Sequence, residues 1–231
     1  MDKILVWDFP SRIIHWLFAG SLSAALAIAF LVDDEQPIFK LHMVLGIVAV
    51  FSLAVRVLLG IVGSRYSRFA NFPLRPREVA TYFVNAVFSK TKRYAGNNPG
   101  SAIAAVLMFL IVPGLFLTGS IANDSLEDVH EVLAWGLLLV VISHLAGLVW
   151  HTFRHRENIS LAMITGRKAG EPAEATPSSH PIWGGLILLA SGLWISLLLT
   201  EYRTSDRDIR LPGLGMTIQL GENKARDGDD D

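Results

Sequence analysis

The sequence predicts an all-α membrane protein: a four-helix transmembrane bundle followed by a fifth, C-terminal transmembrane helix. Three observations carry that expectation. The 231 residues are 52% hydrophobic, with a mean hydropathy of +0.43, which is high for a soluble domain. The apolar residues gather into five runs, each close to the ~20 residues that cross a bilayer as a helix. One of these runs, VHEVLAWGLLLVVISHLAGLVWHTFRHR, holds His130 and His144 at membrane depth. Ionisable side chains are costly there, so they face a bundle interior and mark function.

The elements follow in order. Residues 1–12, MDKILVWDFPSR, form a short interfacial leader, with Trp7 and Phe9 suited to the headgroup region and Pro10 suited to a helix start. No cleavable signal peptide is expected, because the first apolar run lacks a small-residue cleavage site and is long enough to span. The first span covers residues 13–32 and carries His15. An acidic loop, 33–40, leads to the second span, 41–62, which holds His42 near its start and Arg56 near its end.

The polar segment 63–101 is strongly basic. Within it, residues 77–88 mix apolar and polar positions as a helix lying on the membrane surface does. The turn NNPG then opens the third span, 102–122, where Pro113 and Gly114 predict a kink. The acidic loop 123–128 precedes the fourth span, 129–152. Residues 1–168 thus form the four-helix core. Residues 169–181, rich in Ala, Glu, Pro and Ser, read as a flexible linker. The fifth span covers 182–200, and a polar acidic tail covers 201–231.

Charge sets the orientation and excludes several classes. The leader and the loops 63–101 and 153–181 are basic, whereas 33–40 and 123–128 are acidic. The positive-inside rule puts the N-terminus in the cytoplasm, and five spans put the C-terminus in the periplasm, as in a multi-pass protein of the bacterial inner membrane. A net charge of −1 gives no basis for a nucleic-acid partner. The absence of cysteine excludes disulfide frameworks, thiolate zinc sites, iron–sulfur clusters and CxxCH haem attachment within this chain. No internal repeat is evident.

The histidine spacing has a chemical meaning. His130 and His144 are fourteen residues apart, so they return to within ~40° of one helix face and lie ~21 Å apart along the axis. Topology places His42 and His130 near the outer surface, and His15 and His144 near the inner one. Each pair suits one planar haem held between helices as a six-coordinate bis-histidine iron. Such a centre leaves no open position for substrate and serves electron transfer.

His151 shares a face with His144 and is the rival inner ligand, while His155 sits among arginines at the helix end and His180 reads as solvated. Arg56 follows His42 by fourteen residues, which sets it ~21 Å deeper on the same face. There it either pairs with a haem propionate or snorkels to lipid phosphate. Arg12 is a weaker candidate of the same kind. Gly20, Gly46 and Gly147 suit close approach of a haem or, more simply, of another helix.

The stretches VWDFPSRIIHWLFAG, LHMVLGIVAVFSLAVRVLLGIVGSRYSRFANF, YAGNNPGSA and HTFRHRENISLAMITGRKAG resemble the bacterial cytochrome b561 and nickel–iron hydrogenase b-type cytochrome family. The resemblance covers about residues 4–170. It implies a four-helix core with two non-covalent b haems, ligated by His15, His42, His130 and His144. The spacing on the fourth helix also resembles the membrane subunit of respiratory formate dehydrogenase. The family resemblance further implies electron exchange between the quinone pool and a redox partner, such as a hydrogenase-like subunit or a periplasmic c-type cytochrome. The fifth span and the acidic tail go beyond its minimal members, and the tail suits docking of a basic partner. Two other classes remain compatible with the pattern: a direct reductase or superoxide:quinone oxidoreductase, and a non-redox transporter or scaffold with protonatable histidines. Acidic outer loops disfavour capture of an anion such as superoxide, although Lys40 stands there.

Overall fold

The computed structural model describes residues 2–89, 91–121, 124–204, 208–213, 215 and 217–219. Five of its helices are long and apolar enough to cross a membrane. Backbone groups inside a bilayer must be satisfied within each segment, which is why continuous apolar runs become helices.

The first, α1, spans Phe9–Leu31. It starts four residues before the expected span because Asp8 caps it, accepting from the Ser11 N–H, and Pro10 fits the first turn. Next is α2, Lys40–Val62, and α3, Pro76–Phe88, is a helix where residues 77–88 predict one. The N-terminus of α4, Pro99–Ser120, is capped by Asn98 of the NNPG turn, and the helix runs on through Pro113. A longer helix than its apolar run, α5 extends over Asp124–His155. The short α6 covers Leu161–Thr165 and α7 covers Pro181–Thr204.

The spanning helices pack as α1 on α2 and α4 on α5, with α2 also meeting α4. At mid-depth Leu22 and Leu26 of α1, Ala49 and Leu53 of α2, Val112 of α4 and Leu137 of α5 close into one apolar cluster. Leu137 lies seven residues from both His130 and His144 and is 1% exposed. Away from this plug, α5 has extensive backbone packing among the described residues only along α4, and it stands back from α1 and α2. The fifth span packs on its own bundle: α7 contacts α1 and α2, and Trp194 stacks on Phe51 with ring centres 4.4 Å apart.

The interfacial leader and the expected flexible linker join in one ordered unit. The leader forms β1, Asp2–Leu5, antiparallel to β2, Arg167–Gly170, with Leu5 opposite Arg167. Ile4, Val6 and Trp7 bury their side chains with Ala162. The segment read as a flexible linker begins inside this unit. The Thr176 N–H donates to the Leu5 carbonyl and its hydroxyl to the Val6 carbonyl, both at 2.8 Å. Glu174 accepts from Arg93 and from the Glu171 N–H. These bonds hold its carboxyl below the usual range, the backbone N–H contributing most. The clasp is therefore complete above the ordinary glutamate pKa and weakens as pH falls through the lowered one. Composition misled here because small polar residues that do not pack locally were pinned by partners some 170 residues away.

The tail also differs at its start. Strands β3, Asp208–Arg210, and β4, Thr217–Gln219, pair as a hairpin, and Leu211 packs with Val44, Ile47, Val48 and Leu198. The acidic end, residues 220–231, lies outside the described residues.

Candidate functional site

His42 and His130 come together near the start of α2 and of α5, with ring centres 6.3 Å apart and planes at 75°. The surrounding acceptors decide their tautomers. His42 Nδ1 is 2.9 Å from the Ala25 carbonyl, which only accepts, so Nδ1 carries the proton and Nε2 the lone pair. His130 Nδ1 is 3.0 Å from the Thr118 hydroxyl. That hydroxyl spends its single proton on the Gly114 carbonyl, 2.9 Å away, and so accepts from His130. Both rings are thereby oriented through Nδ1 and able to offer Nε2 to a metal.

The spacing fits one metal ion between them. With metal–nitrogen bonds of about 2 Å, and ring centres about 1 Å behind the nitrogens, opposed imidazoles on one ion have centres about 6 Å apart. Gly119 makes room for this arrangement, since a Cβ there would lie 3.0 Å from His130 Cε1. Gly46, one turn from His42 on the same face, has nothing within 4 Å of where its Cβ would be, and the same holds for Gly20 and Gly147. Among the described residues, then, no other helix packs closely against these three glycines, which is the simpler role expected for them.

At the other end, His15 and His144 are half-buried and are electrostatic neighbours, with Arg56 beside them. Arg56 does not reach outward. Its Nη1 donates to the Ser67 carbonyl at 3.0 Å, and its guanidinium lies 5.6–5.9 Å from the ring centres of Phe69, Phe72 and Phe109. Gly60 permits this box, because a Cβ there would stand 2.2 Å from Phe69 Cζ. Ser67 is fully buried and meets Ser11 and Ser64 through its hydroxyl. Arg12 is committed elsewhere: it donates to the Ile164 carbonyl and lies over the Phe9 ring.

His151 sits apart from that pair. It stacks on His155 with ring centres 4.5 Å apart and faces Glu157 at 3.7 Å. Lys168 stands 4.0 Å from the same carboxylate, and burial pulls its pKa below the usual lysine value. Both His151 nitrogens and Glu157 Oε1 are buried without a hydrogen-bond partner.

The five residues singled out in the sequence, His15, His42, His130, His144 and Arg56, thus gather at two levels with the Leu137 plug between them. Sequence reading missed Thr118, Gly119, Gly60 and the Ala25 carbonyl. No local signal marks them, because each acts on a residue of another element or of a distant turn.

The donor set fits haem: paired imidazoles oriented through Nδ1 in an apolar bundle, bare helix surface at Gly46, and a guanidinium at one level. A family model described as prokaryotic cytochrome b561 matches residues 6–166. No curated protein matches the chain, and no solved structure does.

Proposed function

The chain belongs to the prokaryotic cytochrome b561 family and is therefore a membrane b-type cytochrome that transfers electrons, and from that premise we propose that it carries them across the bilayer through two haem b groups. One haem is held by His42 and His130, the other by His15 and His144. The observation that carries this reading is the outer pair: 6.3 Å between ring centres, with both Nδ1 protons bound elsewhere.

Bound haem supplies reversible one-electron chemistry at iron. The protein contributes the rest. Ala25 and Thr118 fix the imidazole tautomers, and such outer partners raise ligand basicity. Two histidines per iron leave no site for substrate, which favours electron transfer over direct reduction. Arg56 places a fixed positive charge at the inner level, suited to a propionate. The Leu137 layer keeps water from the space between the levels.

The exchange partners are the quinone pool and a periplasmic redox protein, a c-type cytochrome or hydrogenase-like subunit. The cytoplasmic N-terminus, periplasmic C-terminus and inner-membrane setting follow from the charge of the loops. Past His144 along the chain, the half-buried His151 and Glu157, whose buried nitrogens and Oε1 lack hydrogen-bond partners, accept or release the protons that quinone chemistry requires.

The test has two arms. The purified full chain should bind two b haems, both reducible by quinol in stopped flow. Removal of residues 220–231, which leaves the Leu211 contact intact, should slow transfer to a basic c-type cytochrome several-fold at low salt and leave quinol reduction unchanged. A haem-free chain would sink the electron-transfer role. Unchanged transfer in the truncated chain would remove the tail from partner docking.

The outer pair makes a further prediction. Thr118→Val keeps the side-chain shape but takes the acceptor from His130. Outer-haem affinity should fall roughly 10–100-fold, read from haem retained on dilution, while the inner haem stays bound.

A further inference from the structure

The surface helix α3 has two unlike faces. Phe83, Val84, Val87 and Phe88 are 48%, 57%, 63% and 80% exposed. They recur at i, i+1, i+4 and i+5, which is one stripe of a helix. On a membrane protein such a stripe rests at the acyl boundary. Glu78, Thr81, Tyr82 and Asn85 recur at i, i+3, i+4 and i+7 on the neighbouring stripe and line an open cleft of about 510 Å³. Arg75, Arg77, Lys92 and Tyr94 complete its wall.

The cleft is strongly cationic. Three exposed basic groups face one acid, and that acid, Glu78, already accepts from the Tyr94 hydroxyl at 3.1 Å. Lys92 is held over the Tyr94 ring, 5.8 Å from its centre. Burial and the Glu78 bond push the Tyr94 phenol up to about 12, so it stays a neutral donor. Arg75, at the N-cap of α3, makes no side-chain capping bond. Trp150 anchors the helix to α5, its indole donating to the Ala86 carbonyl at 2.8 Å.

We propose that this cleft binds the phosphate headgroup of an anionic phospholipid, with Arg75, Arg77 and Lys92 on the phosphate and the Phe83–Phe88 stripe on the acyl chains. The juxtaposition selects a lipid over free phosphate, because the cationic wall and the exposed apolar row meet at one short helix. The role lies outside the haem levels: it fixes α3, and through Trp150 the end of α5, against the membrane.

The experiment is native mass spectrometry on the haem-loaded full chain in detergent, titrated with phosphatidylglycerol, phosphatidylcholine and inorganic phosphate. Wild type should bind phosphatidylglycerol at least tenfold tighter than phosphatidylcholine. Each of Arg75→Gln, Arg77→Gln and Lys92→Gln should lower that preference by about fivefold, the usual effect of one basic residue at an anionic surface. Arg75→Lys with Arg77→Lys should retain it, with haem content unchanged throughout. A preference that survives the triple glutamine variant, or no preference in wild type, overturns the proposal. Displacement of the lipid by low-millimolar phosphate makes the cleft a free-phosphate site and overturns it equally.

Discussion

His42→Ala and His130→Ala should each lower the haem content of the purified chain from two per polypeptide to one, and the lost signal should be the same in both variants. The expectation rests on the shared geometry of the pair. Their rings are 6.3 Å apart, and each Nδ1 is engaged by a separate acceptor, Ala25 or Thr118. A haem held by these two imidazoles would lose one of its two protein ligands when either goes. The Leu137 layer separates the outer level from the inner one, so the remaining haem should keep its spectrum. The check is a pyridine haemochrome count with low-temperature spectra, and added imidazole should restore the missing band in part, since the cavity of the deleted ring remains. Two intact haems in His42→Ala would show that the outer pair is not a ligand pair.

His144→Ala should remove the other haem, whereas His151→Ala should retain both. The two histidines lie on one face, seven residues apart, so spacing alone does not choose between them. Their surroundings do. His144 is an electrostatic neighbour of His15, with Arg56 at hand. His151 is stacked against His155 and faces Glu157 and Lys168, and leaving that stack would cost it those contacts. For His151→Ala the expected loss is in the rate of haem reduction by quinol, tenfold or more, in keeping with the 10²–10⁴-fold contribution of positioned acid–base groups. Loss of the inner haem in His151→Ala, with both haems kept in His144→Ala, would reverse the assignment. Unchanged quinol kinetics would remove His151 from proton exchange while leaving the ligand pairs standing.

Much of this was open to reading from the chain alone, for a definite reason. A bilayer offers no hydrogen bonds to the backbone, so a long apolar run has helix as its answer, and an ionisable residue within it is informative. The five spans, and the two levels at which His42 meets His130 and His15 neighbours His144, follow from that one constraint. The departures occur where the constraint ends. Residues 2–5 and 167–170 carry no pattern that announces a strand pair, and they pair because Ile4, Val6 and Trp7 find an apolar partner in Ala162. Thr176 looks like linker composition until it meets the Leu5 and Val6 carbonyls.

The finer setting of the site was decided by tertiary contact in the same way. Nothing near His130 in sequence shows that a threonine twelve residues earlier takes its Nδ1 proton, or that Gly119 clears space for its ring. Nothing near Arg56 shows that Gly60 lets Phe69 close over it. Period and hydropathy, which the chain carries residue by residue, determined the elements, their depths and the histidines that share a level. Which lone pair each imidazole offers, where Arg56 points and where the fifth helix docks were decided only in three dimensions, because those outcomes depend on atoms that distant segments bring within a few ångströms of one another.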